Sequence, residues 1–285
     1  MRAFSMPQNI LGEGPLWDAE SQALWWVDIH GKSIFRQAWN QSQAESHSFE
    51  KRPTALGFSN DKHLIIAFED GIFRWSPSTQ RTPLKVLNER ASNRTNDGKV
   101  GPDGQFWFGT MDDEEQLDSG ALYSLSASGQ LTQHQAHIGI SNTFAWSPDG
   151  QWFYFADSKA QRIYQYPVTS SGLGTAEIFV DLQGTSIYPD GSCIDSEGCL
   201  WNAQWDGHRV VRYAPDGSIL QIVSLPVQRP TSCCFGGPEG NHLFVTTASV
   251  GLTESDMAAQ PLAGKVLVIE TNATGTANHY WGQST

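Results

Sequence analysis

Two carboxylates and two carboxamides, Glu13, Asn96, Asn142 and Asp190, stand at one phase of an internal repeat. Each lies four residues ahead of an apolar residue that is followed by a turn residue: Trp17-Asp18, Val100-Gly101, Trp146-Ser147 and Ile194-Asp195. Thr54 and Thr231 hold the same phase ahead of Phe58-Ser59 and Phe235-Gly236. Oxygen donors with no Cys or His among them are hard ligands, suited to a divalent cation. Asn-Asp-Gly and Pro-Asp-Gly are also turn formers, and that role accounts for Asp103, Asp149 and Asp216. Asp190 differs, because its Pro-Asp-Gly lies ten residues ahead of an apolar run. Glu13, between two glycines, has no turn role that requires a carboxylate.

The elements that must position these residues recur six times as an aromatic-rich run, a short connector and a second apolar run. The first runs are 23–28 (ALWWVD), 64–69 (LIIAFE), 106–111 (FWFGTM), 152–157 (WFYFAD), 200–205 (LWNAQW) and 243–248 (LFVTTA), with starts 41, 42, 46, 48 and 43 residues apart. Their partners are 34–36, 72–75, 121–125, 162–166, 209–213 and 265–269. Weaker β segments such as 177–182 (EIFVDL) and 219–225 (ILQIVSL) fill the intervals, giving four strands per unit. A β repeat of this length predicts an all-β, six-bladed β-propeller with four antiparallel strands per blade, formed as one domain over 1–285. The residues before Leu11 are expected to complete the last blade and leave no open edge. Helical periodicity is confined to 254–259. Equivalent repeat positions sit at equivalent radius, so the six oxygen-bearing side chains are expected to converge at one mouth of the axis.

A net charge of −12 argues against nucleic acid or an anionic membrane as partner. The start MRAFSMPQNI carries no apolar signal core, and no run approaches the length of a membrane span, so a cytoplasmic location is expected. Cys193, Cys199, Cys233 and Cys234 show no CxxC spacing and are expected as buried free thiols. Gly-x-Ser-x-Gly and His-Glu-x-x-His are absent, and Gly31-Lys32-Ser33 lacks the upstream glycine of a phosphate loop. His30, His63 and His242 fall beside strand ends and read as surface or packing residues, and most tryptophans as inter-blade core. Oligomeric state leaves no mark in the sequence.

LGEGPLWD (11–18), NRTNDGK (93–99), FGTM (108–111), GALYS (120–124), YPDG (188–191) and SCCFGG (232–237) together resemble the regucalcin (senescence marker protein)/gluconolactonase family over nearly the whole chain. The Asn-Arg-x-Asn-Asp block and YPDGS are similar to bacterial sugar-acid lactonases acting on xylono-, arabinono- or gluconolactone. The resemblance implies a propeller with one catalytic divalent cation in the axial mouth, held by Glu13, Asn142 and Asp190. It implies Arg94 and Asn96 as substrate contacts, and Glu114 as the acidic contact just past Gly-Thr-Met, within the contiguous run Asp112–Glu115. The sequence has Ser141-Asn142-Thr143 where the family usually has glycine after the asparagine, which alters the turn but keeps the ligand.

On this reading the chain opens a sugar-acid lactone to the aldonate. The cation is calcium, zinc, manganese, magnesium or iron(II), and Asp190 or a hydroxide on the cation takes the proton from the attacking water. Two rivals stay open: a phosphotriesterase or aryl-esterase on the same scaffold, and a non-enzymatic calcium-binding regulator or interaction propeller.

Overall fold

The second strand of each repeat is apolar on both faces because each blade is packed between two others. In the computed structural model, which describes residues 1–283, Ala23–Asp28, Phe106–Asp112 and Leu64–Phe68 are buried along their whole length. Outermost strands such as Glu45–Ser48, Thr82–Val86 and Ile219–Ser224 are largely exposed, and the first is polar throughout. The result is the expected six-bladed propeller, in which each blade runs outward through antiparallel strands from the one beside the axis.

Blade 1 is Gly12–Asp18, Ala23–Asp28, Ser33–Ala38 and Glu45–Ser48, and blade 2 begins with Pro53–Ser59. The innermost strands of blades 3, 4, 5 and 6 are Asn93–Val100, Ser141–Trp146, Tyr188–Ile194 and Pro230–Gly236. Among the described residues, six apolar clusters fill the six seams between neighbouring blades. One joins Trp25, Val27 and Ile34 to Ile66, Phe68 and Trp75, and another joins Trp107 and Leu122 to Phe144, Phe153 and Phe155. Trp26 and Trp201 are fully buried in such seams, a burial worth roughly 3 kcal/mol for a side chain of that size.

The ring closes as the sequence predicts. Arg2–Ala3 pairs antiparallel with Leu267–Glu270 and becomes the outermost strand of blade 6. The helix Glu254–Ala259 also forms where expected, capped by reciprocal hydrogen bonds between Thr253 and Asp256. Cys193, Cys199, Cys233 and Cys234 are buried and free.

One feature was not legible beforehand. After blade 6 the chain crosses the far mouth of the axis: Gly275 bridges to Asp195, Asn278 donates to the Trp17 carbonyl at 2.7 Å, and Tyr280–Trp281 pairs parallel with Phe58–Ser59. The segment Thr276–His279 thereby covers the ends of the inner strands at Leu16, Phe58, Trp146, Ile194 and Phe235. No described helix is long and apolar enough to cross a membrane.

Candidate active site

Each innermost strand carries a β-bulge near its start, and the candidate ligands sit in these bulges. Register breaks between Glu13 and Leu16, Thr95 and Gly98, Asn142 and Ala145, and Pro189 and Ser192, with matching breaks at Pro53/Ala55 and Pro230/Ser232. A bulge inserts an extra residue and re-aims the neighbouring side chain. Here it turns Glu13, Asn96, Asn142 and Asp190 into one cavity of about 540 Å³ at the near mouth of the axis. Gly14 at φ 53° and Thr143 at φ 56° carry the left-handed residue after Glu13 and Asn142. A β-branched residue is a rare occupant of that region. Thr143 is held there by its hydroxyl, which donates to the Asp190 carbonyl at 2.5 Å.

Thr54 and Thr231 share the phase but do not reach the cavity. The Thr54 hydroxyl pairs with that of Thr95 at 2.7 Å, and the Thr231 hydroxyl donates to the Gly12 carbonyl at 2.5 Å. Short hydroxyl side chains here serve as struts between blades, so four of the six positions converge and two do not.

Glu13, Asn142 and Asp190 are 7, 4 and 6% exposed, on blades 1, 4 and 5. Neither carboxylate meets an Arg or Lys: a Glu13 oxygen accepts from Gly14 N at 3.1 Å, and Asp190 Oδ1 is buried with no hydrogen-bond partner. Burial, then Asp97, holds the Glu13 carboxyl well above its ordinary pKa; burial, then Glu13 and Asp97, does the same to Asp190. Asp97, behind them, is itself pushed up to about 6 by burial. Buried carboxylates that repel one another, with one oxygen orphaned, are what a hard cation would relieve, and an amide oxygen completes an all-oxygen set. Among the described residues no group of three His, Cys, Asp or Glu side chains is placed to hold an ion, so a cation here would need the Asn142 amide oxygen beside the two carboxylates.

Arg94 reaches the same cavity and is buried. Its Nε donates to Asp113 at 2.7 Å, and its Nη1 donates to the Thr95 carbonyl at 3.0 Å and to Asn96 Oδ1 at 2.8 Å. Burial lowers the Arg94 pKa, opposed by Asp113. Asp113 is also gripped by both Nη atoms of Arg52, and its carboxyl lies below the usual range because hydrogen bonds from Arg52 and the nearby Arg94 outweigh burial. Asn96 gives both amide protons to blade 4, at the Ser141 carbonyl and Asn142 Oδ1, so what it has left for a ligand is a lone pair on Oδ1.

The acidic run past Gly-Thr-Met divides by geometry. Asp112 ends its strand and ties down the following loop by accepting from Gln116 N and Leu117 N, whereas Asp28 and Asp157, at the same point of blades 1 and 4, accept from the segments that enter the innermost strands, at Ile10 N and Leu11 N and at Gly139 N and Ile140 N. Asp113 and Glu115 face the axial cavity, whereas Glu114 lines a neighbouring cavity with Lys51, Arg90 and Ser92. Glu115 stands at φ 59°, and that left-handed turn offsets it from Glu114.

Sequence reading missed several wall residues. His30, expected as a surface or packing residue, lines the cavity, and burial, then Arg94 and Arg52, keeps its imidazole below the ordinary pKa. On blade 5, Tyr188 and Trp205 pair in register and line the same cavity. The Arg229 guanidinium lies 4.9 Å from the Trp205 ring centroid and is anchored to Asp206 at 2.9 Å. Trp205 ends its strand, but so do Trp75 and Trp146, which lie in the seams, so strand position in the sequence does not single it out.

The sequence profile described as "SMP-30/Gluconolactonase/LRE-like region" matches residues 11–249. A regucalcin of Gallus gallus is 36% identical over 91% of this chain and 90% of its own length. A 6-deoxy-6-sulfogluconolactonase of Pseudomonas putida is 31% identical over 94% of each chain. Among solved structures, a calcium-binding protein, regucalcin, from Agrobacterium tumefaciens superposes with a TM-score of 0.94 at 30% identity, covering 98% of this chain and 96% of the other.

Proposed function

This chain belongs to the SMP-30/gluconolactonase/LRE-like family, and from that membership and the axial cavity we propose that it is a sugar lactonase, opening an aldonolactone to the aldonate. The observation that carries the reading is that Glu13, Asn142 and Asp190, from three blades, are buried and line one cavity, with neither carboxylate in an ion pair and Asp190 Oδ1 unpartnered. These three would hold a divalent cation. When bound, it supplies Lewis-acid polarisation of the lactone carbonyl and lowers the pKa of water.

In the reaction, water adds to the carbonyl carbon, the ring C–O bond breaks, and the ring oxygen leaves as a sugar hydroxyl carrying the proton. Asp190 accepts the proton of the attacking water. Its Oδ1, buried without a hydrogen-bond partner, is the atom available for that proton. Arg94, fixed by Asp113, donates to sugar oxygens, and Asn96 holds Asn142. Glu115 takes the distal hydroxyl contact in place of Glu114, because it is Glu115 that lines this cavity. Replacing Glu115 with Gln is expected to raise KM about tenfold, the loss of one hydrogen bond to a charged group, and Glu114→Gln to leave KM within about twofold. Steady-state kinetics on the preferred lactone checks this, and the reverse pattern would return the role to Glu114.

The deciding experiment is a panel of aldono-1,4- and 1,5-lactones at fixed pH, with the spontaneous rate subtracted. The protein is assayed after chelation and after add-back of Ca²⁺, Mg²⁺, Mn²⁺, Fe²⁺ or Zn²⁺ in turn. Turnover should vanish on chelation and return with a cation; full turnover in protein freed of metal would refute the cation requirement. The names of the regucalcin relatives favour a second reading, a calcium-binding regulator. A cavity of about 540 Å³ walled by Arg94, Asp113 and Glu115 exceeds what an ion needs and suits a polyhydroxylated molecule better than an apolar ester. Tight Ca²⁺ binding with no turnover of any lactone would establish that second reading.

A further inference from the structure

We infer that Ser158 is a positioning residue that sets which end of the Asn142 amide faces the cation site and locks Asn142 to the Asp190 segment. The inference rests on Asn142 and Asp190 being ligands.

Ser158 follows the second strand of blade 4, Trp152–Asp157, is buried, and reaches the floor of the axial cavity. Its hydroxyl donates to the Pro189 carbonyl of blade 5 at 2.5 Å and accepts from Asn142 Nδ2 at 2.9 Å. The order of donors is forced. A carbonyl can only accept, so the single hydroxyl proton of Ser158 is committed to Pro189, and the hydroxyl shows lone pairs to Asn142. Only the NH₂ end of the amide can meet those lone pairs, which leaves Oδ1 turned toward Asn96, whose Nδ2 donates to it at 3.1 Å. Asn96 is fixed in turn, because Arg94 has only donors to offer its Oδ1. One lone pair of Asn142 Oδ1 therefore remains for a cation, and the NH₂ group, which would repel it, is held away.

The same hydroxyl ties two blades together at the site. Ser158 grips the carbonyl before Asp190, while Thr143 and Asn202 grip the carbonyl of Asp190 itself. Both peptide units flanking that ligand are thus fixed in part by side chains of blade 4.

The test is calorimetric titration of the metal-free full chain with Mn²⁺. Ser158→Ala should weaken Mn²⁺ affinity about 10–100-fold, the usual effect of removing a group that orients a ligand, with kcat at saturating Mn²⁺ within a few-fold of the parent. Ser158→Thr keeps the hydroxyl and should restore the affinity to within about threefold. If Ser158→Ala does not fold, Ser158→Cys serves: it nearly matches the volume but bonds weakly, and a loss of about tenfold is expected. Parental affinity in the folded Ala or Cys variant overturns the inference. So does an equal loss in Ser158→Thr, which would mean that packing and not the hydroxyl matters. Asn142→Ala is the control on the underlying reading. If it binds Mn²⁺ like the parent, Asn142 is not a ligand and both statements fall; if it alone loses affinity, only the role of Ser158 falls.

Discussion

Glu13→Gln and Asp190→Asn are each expected to reduce metal-dependent lactone turnover by on the order of 10²–10³-fold and to raise the melting temperature of the metal-free protein. The two effects have one cause. Burial raises both carboxyl pKa values, and each is raised further by a neighbouring carboxylate, Asp97 for Glu13 and Glu13 for Asp190. In the unfolded chain the same groups ionise at ordinary carboxylate values, so in the metal-free state their ionisation opposes folding as pH rises above that range. An amide cannot ionise. The thermal advantage of each variant over the parent should therefore widen as pH rises above the ordinary carboxylate range. Saturating cation reverses the order, because only the parent gains the stabilisation of a bound ligand, about 2.7 kcal/mol at a hundredfold excess over Kd. Differential scanning calorimetry of chelated and metal-loaded protein across this rise in pH, with lactone kinetics beside it, makes the check. Parental turnover in either variant at saturating metal would show that the residue is not a ligand.

Deleting residues 1–6 is the structural counterpart. It removes Arg2–Ala3, the outermost strand of blade 6, together with Phe4, which packs edge-on against Phe244 with ring centroids 4.9 Å apart. It also strips the Phe4 carbonyl from Gln37 Nε2, a hydrogen bond of 2.9 Å that joins the N-terminal segment to blade 1. Loss of the buried Phe alone costs about 3–5 kcal/mol, and at roughly 2–4 °C per kcal/mol the melting temperature should fall by on the order of 10 °C. Phe4→Ala separates the packing part from the strand part. A deletion that melts with the parent would mean that this strand does not hold the ring closed.

Much of this was legible because blade architecture is written locally. A strand packed between two neighbours must be apolar on both faces, so ALWWVD and WFYFAD stand out, and Ala23–Asp28 and Trp152–Asp157 form where they read. The turn aspartates behave likewise: the Asp149 and Asp216 side chains accept from backbone N–H groups two residues on, at 3.0 and 2.9 Å. The phase of the repeat then placed Glu13, Asn142 and Asp190 at equivalent heights beside the axis. Contiguous acids carry no such phase, which is why Glu114 and Glu115 could not be told apart until a left-handed turn put Glu115 on the cavity.

The sequence by itself determined the number of blades, their strands, the closure by the first residues and the ring of positions from which the candidate ligands come. These follow from side-chain alternation and turn chemistry, which act over a few residues and repeat. Only the tertiary structure decided which members of that ring turn inward, since Thr54 and Thr231 differ from Asn96 and Asn142 in their partners on adjacent blades. It alone brought His30, Trp205 and Arg229 to the cavity wall and set Ser158 between Asn142 and Pro189. Those contacts join residues up to hundreds of positions apart, and their geometry exists only once the six blades have closed on a common axis.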